Sequence, residues 1–130
     1  MKILIVLVGI GLLLVGPATL VTPDLAASAF GIPAETVQAR GYLLATATRD
    51  VALGSWLLAL LGLRADRRTL AVSIFAIAIV ALGDAINVAF NAGWASPAVI
   101  VHASGLFLLV GLGCFLWRVQ HLEADVAIQS

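Results

Sequence analysis

The sequence predicts an all-α integral membrane four-helix bundle, with a short interfacial helix between the first and second spans. Three observations predict it. The chain has 130 residues, of which 62% are hydrophobic and only 11% charged, against roughly 25% charged in a soluble domain. Its mean hydropathy is +1.13. The apolar residues gather in four stretches, each near the ~20 residues that a hydrocarbon core requires. Period-2 alternation is absent, and lipid admits only helices or closed barrels. The chain reads as a single membrane domain over residues 1–130.

The first span is placed at Lys2–Val21. Lys2 followed by an apolar run, with Ala27-Ser28-Ala29 further on, imitates a signal peptide. That small-residue site lies too far beyond the apolar run, so a retained helix is expected. Gly9, Gly11 and Gly16 suggest tight packing, and Gly16-Pro17 a kink. Next comes the short helix. Thr22 is suited to its N-cap, Pro23 to the first helical position, and Asp24 to the positive helix end. Gly31 offers a stop, followed by Ile32-Pro33. Leu25, Ala26, Ala29 and Phe30 make an apolar face for the interface.

The second span is expected at Arg40–Leu63, the third at Thr69–Phe90 and the fourth at Pro97–Val119. The polar tail Gln120–Ser130 is expected to leave the membrane and fray. Lys2, Arg64, Arg67, Arg68 and Arg118 are five of the seven basic residues and fall on one side of this threading. The positive-inside bias then puts both termini in the cytoplasm, with the chain multi-pass in the cell (plasma or inner) membrane. Trp94 and Trp117 fit the two aromatic belts.

Ionisable groups interrupt the spans. Arg49 and Asp50 lie in span two, Asp84 and Asn87 in span three, and His102 in span four. Alternate threading brings all of them into the same half of the bilayer. Such groups are costly in lipid, so they face a bundle interior or a wet cavity and mark functional sites. Tyr42, Thr46, Arg49 and Asp50 share one face of their helix by i, i+3 and i+4 spacing. Asp84, Asn87 and Asn91 line a face of span three. Ala98, His102, Gly105 and Leu109 line one of span four, where Gly105 is expected to permit close approach. Asp50 follows Arg49 directly and points roughly a hundred degrees away on a helix, so Asp84 is the better partner for Arg49.

Two functional readings compete. In one, Asp84, His102 and Asp50 are acid–base residues, and Arg49, Asn87, Tyr42 and Thr46 hold a small lipophilic ligand. In the other, the polar cluster only fixes helix packing in a structural or accessory membrane subunit. A minimal oligomeric transporter is a further alternative, although four spans are few for paired-repeat architecture. Membrane lipid and a small lipophilic molecule are the expected partners, and a homo-oligomer is compatible with the small-residue surfaces. Zero net charge without a basic run argues against nucleic acid. Nucleophile elbow, phosphate loop and HExxH patterns are absent, and no paired ligand spacing supports a metal. No cofactor is expected. Cys114, the single cysteine, reads as apolar filler.

Gly31-Ile32-Pro33, the run Arg49-Asp50-Val51-Ala52-Leu53-Gly54, Leu82-Gly83-Asp84 and His102 resemble a family of small four-helix membrane proteins of bacteria and fungi, known only as a domain of unknown function. The resemblance spans nearly the whole chain and implies a four-span bundle. It implies no activity, substrate or cofactor. A looser likeness to DoxX-like membrane proteins is one of hydropathy.

Overall fold

In a computed structural model the chain is described over residues 2–31 and 35–129, with side chains through residue 120. Five helices follow in order: α1 (Lys2–Val21), α2 (Pro23–Phe30), α3 (Val37–Gly62), α4 (Arg67–Ala92) and α5 (Pro97–Gln129). Four of them, α1, α3, α4 and the Pro97–Gln120 part of α5, are long and apolar enough to cross a membrane. The least apolar is α3, which carries Tyr42, Thr46, Arg49 and Asp50.

The helix ends show which local signals acted. α3 starts three residues before the expected Arg40, because the Thr36 side chain accepts from the Ala39 amide and caps the helix there. At α4, Asp66 accepts from the Thr69 amide and hydroxyl, both at 2.9 Å, and moves the start back to Arg67. Thr22 precedes α2 as expected, but its hydroxyl donates backward to the Ala18 carbonyl, so it makes no side-chain cap. Gly31 ends α2 in the left-handed region, with φ 71°. The Ile32-Pro33 step lies outside the described residues. Helix α5 continues past Gln120 to Gln129.

Two close helix pairs form the bundle, α1 with α3 and α4 with α5. Glycine explains the first. A Cβ on Gly16 would lie 2.6 Å from the Ala47 carbonyl oxygen, and one on Gly54 would lie 2.6 Å from that of Gly9. These contacts run antiparallel and let two backbones touch, the usual device where lipid removes the hydrophobic drive between helices. In the second pair Gly113 receives the Phe75 ring. Gly11 and Gly105, expected to serve the same purpose, have nothing within 4 Å of a Cβ. A small residue permits close approach only where a neighbour faces it.

Between the pairs, α3 and α4 approach each other sparsely. Large side chains fill that gap at one end: Leu57 and Leu60 of α3, Leu70 and Ile74 of α4, and Leu112 and Leu116 of α5. This is the end of the α3–α4 loop, here the loop end. The Trp56 indole also reaches Ser73 across the gap, at 3.4 Å. At the opposite end α2 crosses the bundle. Its Ala27 packs with Leu43 of α3, and Gly31 sits against Ala98, Val88 and Ala92. The helix thus straps one pair to the other.

Gly16→Ala is expected to cost about 1–3 kcal/mol, as overpacking usually does, whereas Gly11→Ala should be neutral or gain up to ~1 kcal/mol of helix propensity. Thermal unfolding in detergent compares them. At α4, the Thr69 amide and then its hydroxyl hold the Asp66 carboxyl below the ordinary carboxylate pKa. A lowered folded pKa gives stability that is present above the unfolded value and lost as pH falls through the folded one. The protection of the Thr69 amide, its exchange rate measured against that of an unstructured peptide at the same pH, should therefore fall on acidification through that range, and Asp66→Asn should remove this pH dependence.

Candidate functional site

The half of the bundle beneath α2 has polar side chains where the loop end has leucines. Arg49 projects from α3 into the gap between the helix pairs and is held on three of its nitrogens. Nη1 and Nη2 donate to the two oxygens of Asp84 on α4, at 2.8 and 2.9 Å. Nε and Nη2 donate to Asp50 Oδ1, at 3.1 and 2.9 Å. The fork on Asp84 is the bidentate arrangement that suits a guanidinium to a carboxylate. The expectation that Asp84 is the better partner holds for geometry, but Asp50 is bonded as well. A long arginine side chain curls back to its sequence neighbour, which the hundred-degree offset of the two Cβ directions does not prevent.

The side chains of Asp50, Asp84 and Arg49 are 7%, 13% and 29% exposed. The carboxylates are thus enclosed, and the Arg49 side chain is the most accessible of the three. Tyr42 donates a long hydrogen bond, 3.4 Å, to Asp84 Oδ1. Thr46 is buried one turn away on the same helix face. Asn87, half-buried, is engaged with Asn91, whose amide donates to both its carbonyl and its side-chain oxygen at 2.8 and 3.0 Å. It stands beside the cluster without a bond into it.

His102 occupies the other wall. The register set by Phe75 against Gly113 puts it two residues from the level of Asp84, or ~3 Å along the axis. It lies in the electrostatic field of Asp84, Arg49 and Asp50. Its ring stands over Phe30 of α2, with centroids 5.3 Å apart and planes tilted by 30°, and it also interacts with the Phe30 main chain. Nε2 is buried and has no hydrogen-bond partner. Phe30 was expected only as part of an apolar face. Its role as the ring over His102 has no local sequence signal, because it depends on how α2 crosses the bundle.

Among the described residues, no three His, Cys, Asp or Glu side chains gather as a metal-holding group. The guanidinium stands between the carboxylates, where a cation would otherwise go. Two cavities among the described residues lie elsewhere, on the lipid-facing side of α5.

A family profile described as a domain of unknown function, DUF4267, matches residues 9–116. The chain belongs to the DUF4267 family. The matched segment contains every member of the polar cluster and the glycines of the α1–α3 contact. No curated protein and no solved structure matches the chain significantly.

Asp84→Asn is expected to approach the ~3–5 kcal/mol cost of a broken buried pair, because it leaves the Arg49 fork half-satisfied between two helices. Asp24→Asn, on the exposed side of α2, should shift stability by under ~1 kcal/mol. Melting in detergent measures both. Equal shifts would contradict the enclosure of Asp84.

Proposed function

We propose that the α2 end of the bundle binds a small lipophilic molecule bearing one polar group and handles a proton on it. One observation carries this reading: His102 Nε2 is buried without a partner. Polar atoms inside proteins are nearly always hydrogen-bonded, and each exception calls for an explanation. A ligand hydroxyl or an acidic C–H at that position supplies one. The imidazole can take the proton at Nε2 and return it to another atom of the same molecule, an isomerisation that needs no co-reactant. Arg49, whose side chain is the most exposed of the cluster, supplies positive charge to the polar group. Asp84, fixed by the fork and by Tyr42, holds Arg49 in that orientation. Phe30 closes the site from above.

The second reading is structural, and the Arg49 fork favours it. The fork ties α3 to α4 where these helices hardly touch. Buried ion pairs are best attested as devices of register and specificity rather than stability.

His102 separates the two. A group kept for binding at the expense of stability is relieved by an apolar replacement, so His102→Leu should raise the melting temperature, by an amount reflecting the ~1–3 kcal/mol cost of an unsatisfied buried group. A histidine that only completes packing should lose stability on the same change. Lipophilic compounds that co-purify with wild type and are lost from His102→Leu, read by mass spectrometry, would support the binding reading directly.

We also infer that the membrane is the cell membrane, with both termini in the cytoplasm, from the basic residues at the loop end. A thiol introduced as Ile128→Cys, in a Cys114→Ser background, should resist an impermeant maleimide in intact cells and react after lysis. Labelling in intact cells would reverse the orientation.

A further inference from the structure

The lipid-facing side of the α4–α5 pair carries a groove of 750 Å³, within the ~300–1,000 Å³ typical of ligand sites. Val72 and Phe75 of α4 form one wall, and Cys114, Phe115 and Trp117 of α5 the other. Gly111 opens the groove by adding no side chain, since a Cβ there meets nothing within 4 Å. From Gly111 to Arg118 the groove runs seven residues, ~10 Å along the helix axis. It is mostly apolar along that length, and Arg118 lines its loop end. A second cation stands at the same mouth: the Arg68 guanidinium lies 5.7 Å from the centroid of the Trp117 ring.

This order follows the shape of a phospholipid. The apolar length lies within the span, and the charged end is where the helices leave the hydrocarbon region. The charge chooses the class of lipid. Arg64, Arg67 and Arg68 cluster in sequence at the loop end, which Arg118 reaches from α5, and the Asp66 carboxylate there is engaged in capping α4. Basic pockets between membrane helices at that depth suit anionic headgroups. We propose that the α4–α5 groove binds an anionic phospholipid of the adjoining leaflet, with an acyl chain along Gly111 and Phe115 and the phosphate at Arg118 and Arg68. This site is separate from the polar cluster beneath α2.

The test uses the full chain in nanodiscs of phosphatidylcholine with an equal part of phosphatidylglycerol, extracted into mild detergent, with retained lipid read by native mass spectrometry. Retention should favour phosphatidylglycerol about fivefold for each cation engaged, and Arg118→Gln should remove about fivefold of that preference. Gly111→Leu starts a side chain where a Cβ meets nothing within 4 Å and should abolish retention of both lipids at a melting temperature no lower than that of wild type. Cys114, the only cysteine, gives a second reading from the groove wall. Added phosphatidylglycerol should slow its reaction with a lipid-soluble maleimide, while phosphatidylcholine and inorganic phosphate should not. Equal retention of the two lipids in wild type would overturn the proposal. So would undiminished retention in a folded Gly111→Leu protein, or protection of Cys114 by inorganic phosphate alone.

Discussion

An arginine inside a membrane span must be satisfied from within the protein, and the upper half of this bundle is organised around that requirement. Three nitrogens of Arg49 are met by two carboxylates. One of them, Asp84, comes from a helix that barely approaches α3 by backbone. The fork fixes the height of α3 against α4, because a shift of one residue along either helix would displace the guanidinium by ~1.5 Å and break its two-point contact. Leucine and isoleucine fill the same gap at the loop end. Apolar packing was therefore available to this fold, and at the α2 end an ion pair stands in its place.

The same constraint gives α2 its importance. An eight-residue helix has little stability of its own, and this one is held by what it covers. Ala27 reaches α3 and Gly31 reaches α4 and α5. That contact needs the glycine twice: its φ of 71° is strained for other residues, and a Cβ would lie 2.7 Å from the Ala98 side chain. With the strap in place, Phe30 lies on His102 and the buried Nε2 is left without a partner. The DUF4267 match spans these parts together, from the α1–α3 glycine contact to α5, so the cluster, its strap and its closest helix contact lie in one family unit.

How much was legible before the structure depended on the range of the interaction involved. Hydropathy located the four spans, because burial in lipid is decided residue by residue over a fixed thickness. Helix ends shifted by two or three residues where Thr36 and Asp66 cap one turn earlier than the apolar runs begin. Spacing within α3 correctly grouped Tyr42, Arg49 and Asp50 on the side that meets Asp84. It could not choose among the glycines. Gly9, Gly16 and Gly54 lie at backbone contacts, while Gly11 and Gly105 face open space, and nothing in their immediate sequence separates the two groups.

The sequence by itself determined an all-helical, four-span membrane architecture and the presence of ionisable residues inside it, since both follow from local hydrophobicity and from the cost of charge in lipid. Only the tertiary structure decided that Arg49 binds both aspartates, that the helices divide into two close pairs, and that α2 carries Phe30 over His102. Those outcomes depend on which helix faces meet. They arise from contacts between residues far apart in the chain, such as the backbones of Gly16 and Ala47 and the Phe75 ring on Gly113, and no local pattern encodes them.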